Sequence, residues 1–175
     1  MVKDAKDQDS INETKILDEL RKNAKTSIET IAKNCGVSRQ KVYRIIKHLE
    51  DTHAIWGYTT VIDDRMQHSQ KFIFLIKRTN KPVTKGTAES IAWNRLEHMY
   101  AYLGISIESS HFLHGEYDWA IIFTAEDLRH AKKFGDLLAQ NYPGFIAKMI
   151  LMQVLFSSKD HYLYNPDPDV VNSFL

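Results

Sequence analysis

The stretch from Ser38 to Leu49 constrains this chain more than any other. Val42, Ile45, Ile46 and Leu49 fall at i, i+3, i+4 and i+7, which places them on one side of a helix, and Ser38 is a good N-cap for it. The other side is Arg39, Gln40, Lys41, Tyr43, Arg44 and Lys47. Just upstream, Thr26-Ser27-Ile28-Glu29 has the S/T-x-x-E form of a capping box, with Thr26 as the expected cap. Ile28, Ile31 and Ala32 then make one apolar face before Gly36 stops the helix. Earlier still, Ile16, Leu17 and Leu20 predict a first helix over 12–20 with Asn12 as its N-cap. Two short helices joined by a tight glycine-containing turn make a helix-turn-helix unit, whose second helix can enter the major groove of DNA by its N-terminal residues.

Charge is distributed in keeping with that geometry. The whole chain is nearly neutral at +1, yet between Arg21 and His48 eight Lys and Arg residues face Glu29 alone, a local charge of +7. Neutralising phosphates releases condensed counterions, so a local basic cluster is what double-stranded DNA rewards. Arginine and lysine can bond guanine O6 and N7, glutamine can bond adenine, and a serine or tyrosine hydroxyl can hold a phosphate. The DNA-binding candidates are therefore Ser38, Arg39, Gln40, Lys41, Tyr43, Arg44 and Lys47. The competing reading is a small helical bundle with a merely solvated outer face.

Residues 55–58 and 59–62 read as a turn and strand, the small wing that often follows such a helix, and the polar stretch 63–69 holds the domain boundary. Trp56 and Tyr58 are read as packing or linker anchors, with DNA contact as the alternative. From Gln70 the period changes. Strands are expected over 71–78, 105–113, 117–124 and 146–156. Helices are expected over 89–103, with Ala92, Leu96, Met99 and Leu103 inward, and after a Thr124-x-x-Asp127 cap, with Leu128, Ala131, Gly135 and Leu138 inward. The order β-α-β-β-α-β is the ferredoxin-like split βαβ, an antiparallel sheet with both helices on one face. The last strand is apolar on both sides, which predicts cover for the second face, most simply the same sheet of another subunit in a twofold homodimer. The expected fold is thus α+β. A winged helix-turn-helix occupies 1–64, a linker 65–69, a ferredoxin-like dimerisation and effector domain 70–156, and a tail 157–175.

These segments resemble the Lrp/AsnC transcription regulators (leucine-responsive regulatory protein and asparagine-synthetase regulator type). The resemblance rests on I16-L-D-E-L20, T26-S-I-E-T-I-A32, C35-G-V-S-R-Q-K-V-Y-R-I-I-K-H-L-E50 and I55-W-G-Y58. In the second half it rests on H114-G-E-Y-D118 and Y142-P-G144. It implies dimers that bind DNA and assemble further into tetramers or octamers, with small effectors, commonly amino acids, held between dimers near the glycine hairpin. On this resemblance Gly115, Glu116 and Asp118 are the effector-binding candidates, and Glu116 stands where the family usually has aspartate. The tail from Ser157 exceeds what the fold needs. Its aromatic residues Tyr162, Tyr164 and Phe174 favour docking over disorder.

Other functions find little footing. No G-x-S-x-G, phosphate-binding glycine loop or H-E-x-x-H is present, so no catalytic residue, metal site or cofactor is assigned and an enzyme is not expected. The alternative is an enzyme like the haem-pathway decarboxylases, which resemble the same two-domain architecture and use histidines near the hairpin. His111 and His114 lie three apart on an expected strand, so the pleat sends them to opposite faces. Glu108, Glu116 and Asp118 flank one hairpin and read as solubilising turn acids before they read as paired catalytic carboxylates. Cys35, the single cysteine, can make no internal disulfide and reads as a small apolar plug rather than a redox switch. Trp93 and Trp119 read as core or dimer-face aromatics. Apolar runs such as 72–76 are far too short to span a bilayer and the first ten residues are charged, so a cytoplasmic, non-membrane protein is expected.

Overall fold

Capping chemistry and one shared apolar seam build the first part of the computed structural model, which describes residues 2–63, 66, 68–82, 86, 89 and 95–173. Helix α1 spans Val2–Lys22, α2 Ile28–Cys35 and α3 Arg39–Asp51. Their facing residues Ile16, Ile31, Ala32, Val42, Ile45 and Leu49 are buried together, with Leu17, Leu20, Val37, Ile46 and Ile55 packed around them. The turn between α2 and α3 closes because Gly36 adopts the left-handed conformation (φ 69°), letting the Val37 amide reach back to the Ala32 carbonyl at 3.0 Å.

The cap of α2 is Ser27, whose hydroxyl accepts from the Thr30 amide at 3.2 Å, and not Thr26. Asn12 caps nothing. Helix α1 begins ten residues earlier, and Asn12 sits in its interior, 3% exposed, with Gln8 Nε2 donating to its side-chain oxygen at 3.5 Å. The expected wing strand is absent, since 56–63 runs without strand pairing.

The chain divides into two compact units. The first comprises 1–61 together with 158–168, and the second comprises 62–157 with 169–175. In the second, β1 (Gln70–Arg78), β2 (Ser106–Phe112), β3 (Trp119–Ala125) and β4 (Ile146–Gln153) form one antiparallel sheet in the order β2-β3-β1-β4. Central β1 pairs Phe72 with Phe123 and Phe74 with Ile121 on one side, and Phe74 with Leu151 on the other. Helices α4 (Arg95–Tyr100) and α5 (Leu128–Asn141) complete the α+β layer arrangement.

Aromatic stacking organises the buried face. Phe74 lies 4.9 Å from Phe123 and 5.5 Å from Phe134, and Tyr100 packs 4.8 Å from Phe134. Gly135 lets α5 approach, because a Cβ there would meet the Phe74 ring at 3.0 Å. On α5 the inward set is Ala131, Phe134, Gly135 and Leu138, and Leu128, expected inward, is 42% exposed at the helix start. The helix is capped by Asp127, whose carboxylate accepts from the His130 amide at 2.8 Å, while Thr124 is buried in β3. Of the helix expected over 89–103, Ala92 and Trp93 lie outside the described residues. Leu96, Tyr100 and Leu103 are buried and Met99 turns outward. The last strand ends at Gln153, three residues short of Phe156.

The opposite face of the sheet carries Ile73, Leu75, Ile122, Ile150 and Met152, the residues that alternate with the buried set. Most are half-buried and Met152 is exposed. Leu96 and Tyr100 of α4 and Ala131, Phe134 and Leu138 of α5 pack on the aromatic side.

Candidate nucleic-acid interface

Helix α3 presents its polar side to solvent because its apolar side is spent on the seam with α1 and α2. Arg39, Gln40, Tyr43, Arg44 and Lys47 are exposed, and the first turn holds no acidic residue. Ser38 is the cap. Its Oγ accepts from the Lys41 amide at 3.2 Å, so the hydroxyl can still donate, beside the partial positive charge of the helix N-terminus. Lys41 behaves differently from its neighbours. Its ammonium ion pairs with Asp9 of α1 at 2.8 Å, and that contact holds the Asp9 carboxyl below its usual range. Lys41 thus braces α3 against α1. The partner Asp9 gave no signal in the sequence, because nothing there placed the first helix so far upstream.

The segment following α3 is fastened by Tyr58, which donates to Glu50 Oε1 at 2.8 Å. Burial around the phenol, with Glu50 adding to it, pushes its pKa up to about 12. Trp56 is 94% exposed and packs against nothing of consequence, so the anchor role expected for it is not what this structure gives it. Cys35 is buried beneath the turn, and burial pushes its thiol up, which keeps it protonated and poorly nucleophilic.

The hairpin between β2 and β3 is a tighter structure. The Asp118 carboxylate accepts from the Arg78 amide at 2.8 Å, its own amide donates to the Ile76 carbonyl at 2.9 Å, and the Leu113 amide donates to its carbonyl at 2.8 Å. Gly115 and Glu116 are exposed at the tip. Glu108 is ion-paired with Lys71 at 3.0 Å, so Glu108 and Asp118 each have a structural engagement of their own. His111 and His114 are exposed, and among the described residues no group of three or more His, Cys, Asp or Glu side chains could hold a metal ion. Trp119 is core, its indole donating to Ser110 Oγ at 2.9 Å. One side chain that sequence reasoning passed over stands beside Asp118. The Arg78 guanidinium lies 5.1 Å over the Phe145 ring with its Nε buried and unbonded.

Comparison with known proteins fits this geometry. Residues 9–55 match the winged helix-turn-helix DNA-binding family, so the first unit carries that DNA-binding motif. Over about nine-tenths of its length the chain shares the fold of solved Lrp/AsnC regulators. An AsnC family transcriptional regulator from Agrobacterium tumefaciens superposes with a TM-score of 0.63 at 15% identity, covering 89% of this chain and 96% of that one. The Neisseria meningitidis regulator NMB0573, solved as its L-Met complex, gives a TM-score of 0.62 at 17% identity, covering 91% and 97%. In sequence, the chain is 26% identical over 123 residues, 70% of each protein, to YugG of Bacillus subtilis, an uncharacterised HTH-type transcriptional regulator. No described helix is long and apolar enough to cross a membrane.

Proposed function

We propose that this chain is a sequence-specific DNA-binding transcription regulator that reads the major groove with α3. The observation that carries the proposal is the acid-free, exposed face Arg39, Gln40, Tyr43, Arg44 and Lys47 behind the Ser38 cap, on a segment matching a DNA-binding family. Arg39, Gln40 and Arg44 contact base edges, Ser38, Tyr43 and Lys47 hold phosphates, and Lys41 contributes its charge from a braced position. No step requires catalysis or a cofactor, and such a reader works in the compartment that holds DNA.

The working form is a twofold homodimer that buries the apolar sheet face of Ile73, Leu75, Ile122, Ile150 and Met152. Two readers on one axis match a palindromic site with half-sites about one helical turn apart. A small effector, with an amino acid as the first class to try, acts at the hairpin of Gly115, Glu116 and Asp118 by changing how dimers assemble and so how readers are spaced. The L-Met complex of the Neisseria relative supports that class.

Binding of the purified protein to DNA from upstream of its own gene, against a scrambled fragment and across a salt series, tests the reading. Preference for the native fragment, steep salt dependence and its loss in an Arg39→Ala, Arg44→Ala double variant are expected. Equal weak binding to both fragments, indifferent to the substitutions, would refute it. Calorimetry against the twenty amino acids tests the effector, and absence of heat from all of them would remove that part.

A further inference from the structure

Arg78 is a cation that the second unit holds in place without a counter-ion. It ends β1, in line with Phe72, Phe74 and Ile76 along the strand, and its guanidinium lies 5.1 Å over the Phe145 ring. Its Nε is buried and bonds nothing, and among the described residues no hydrogen bond or ion pair reaches the rest of the guanidinium. The residue as a whole is only half-buried, so the terminal nitrogens stay within reach of a ligand. A partly desolvated charge with no partner costs free energy, and an anion brought to it relieves that cost.

Asp118, the acid bonded to the Arg78 backbone, does not supply the anion. Its Oδ2 accepts from the Arg78 amide at 2.8 Å, its Oδ1 accepts no hydrogen bond, and no ion pair joins it to the Arg78 guanidinium. A second cation stands at the same turn. A Cβ on Gly144 would lie 2.9 Å from the Lys81 Nζ, and Gly144 itself has the left-handed φ of 72°. Thr79 clasps this turn to the end of β1, its amide donating to the Phe145 carbonyl at 2.8 Å and its hydroxyl to the Gly144 carbonyl at 2.7 Å. Two unpaired cations and one half-used carboxylate therefore sit where β1 ends, beside the β2–β3 hairpin.

We propose that Arg78 is the carboxylate anchor of the hairpin site, its terminal nitrogens taking the carboxylate of an amino-acid effector while the Asp118 Oδ1 takes the ammonium. Stacking on Phe145 and burial of Nε pin the guanidinium, so the ligand meets a preset planar fork and little side-chain freedom is lost on binding. Asp118 disfavours a phosphate dianion at the same place, and Lys81 keeps the local charge positive. The inference rests on the effector reading proposed above and deepens it, since it requires a free carboxyl group on the effector.

The test reads the Arg78 Nε–H signal in proton–nitrogen spectra of the full-length protein, identified by its absence from Arg78→Gln. Sodium acetate, exchanged for sodium chloride at constant ionic strength, is the simplest probe. Inorganic phosphate is the competing anion, and the twenty amino acids are the effector set. A saturable shift is expected with acetate, and with at least one amino acid at lower concentration. In calorimetry that amino acid is expected to bind Arg78→Gln about tenfold to hundredfold more weakly, with an intermediate loss in Arg78→Lys. The preference for the acid over its own α-carboxamide should fall towards one in Arg78→Gln, whereas lost packing alone would weaken both compounds alike. No saturable shift with acetate or with any amino acid overturns the anchor. Phosphate binding more tightly than acetate overturns the carboxylate assignment. An amino acid bound equally well by Arg78→Gln removes the anchor and leaves the effector reading standing. Arg78-dependent acetate binding with no amino acid tighter than acetate supports the anchor and removes the amino-acid effector.

Discussion

Helix α3 and the β2–β3 hairpin both carry charged side chains singled out from the sequence, but the fold spends them differently. On α3, Arg39, Gln40, Arg44 and Lys47 stand exposed on a helix that packing already holds through Val42, Ile45 and Leu49. At the hairpin, Asp118 is bound into the backbone of β1 through the Arg78 amide. Side chains left over by the architecture are available to a ligand, whereas those consumed by it first determine whether the site exists. Substitutions should therefore separate cleanly into those that change binding and those that change stability.

The largest effect belongs to the shared seam. Ile45→Ala removes a buried side chain beneath the reading face and should cost about 2–5 kcal/mol in denaturant unfolding of the first unit. A cost under about 1 kcal/mol would mean that α3 is not held by this packing. Next is Asp118→Ala, which strips the Arg78 amide of its acceptor. It should destabilise the second unit by about 1–3 kcal/mol in the same assay, while an Asn at 118 recovers most of the loss. An Asp118→Ala variant of undiminished stability would break the contrast. On the other side, Arg44→Ala should leave the melting temperature unchanged yet weaken DNA binding by about 1–3 kcal/mol. Lys41→Ala should do less to DNA affinity than Arg44→Ala, and cost at most about 1 kcal/mol of stability, because an exposed ion pair such as that with Asp9 contributes little.

The smallest effect is one of pH. The cap of α5 lowers the Asp127 carboxyl below its ordinary value, chiefly through the bond from the His130 amide. A carboxylate lowered on folding adds stability above its unfolded value, and that contribution fades as pH falls through the folded one. Thermal melts of Asp127→Asn, which keeps a capping oxygen, should show a flatter acid limb than the unaltered protein between about pH 5 and 3. Identical limbs would show that this cap does not titrate with folding.

What the sequence disclosed follows the same division. The reading helix was legible because its cap, its 3.6-residue apolar period and its glycine stop all agree. The four strands and their order were legible because the period changes from helix to strand at Gln70. Where two residues could do one job, only packing decided, and Ser27 caps α2 in preference to Thr26. Simple periodicity put Leu128 inward and passed over Phe134, yet Phe134 is buried and Leu128 is 42% exposed. Asn12 misled because a good capping residue is equally able to be buried inside a longer helix. The short tail hairpin, Lys159–Asp160 against Leu163–Tyr164, had no signal at all, since its turn His161-Tyr162 lacks the Asn or Gly that marks such a turn. For the candidate site, the exposed residues of α3 were readable from their helical phase, but the diversion of Lys41 to Asp9 depends on a helix start that no local motif marked.

The most direct measurement is equilibrium binding of the Arg39→Ala, Arg44→Ala variant to a duplex selected by the unaltered protein, taken alongside its thermal melt. The account predicts a loss of at least tenfold in affinity and a shallower salt dependence, with the melting temperature unmoved. Unchanged affinity, or a loss that appears only together with a lowered melting temperature, would contradict the claim that α3 reads DNA through side chains the fold leaves free.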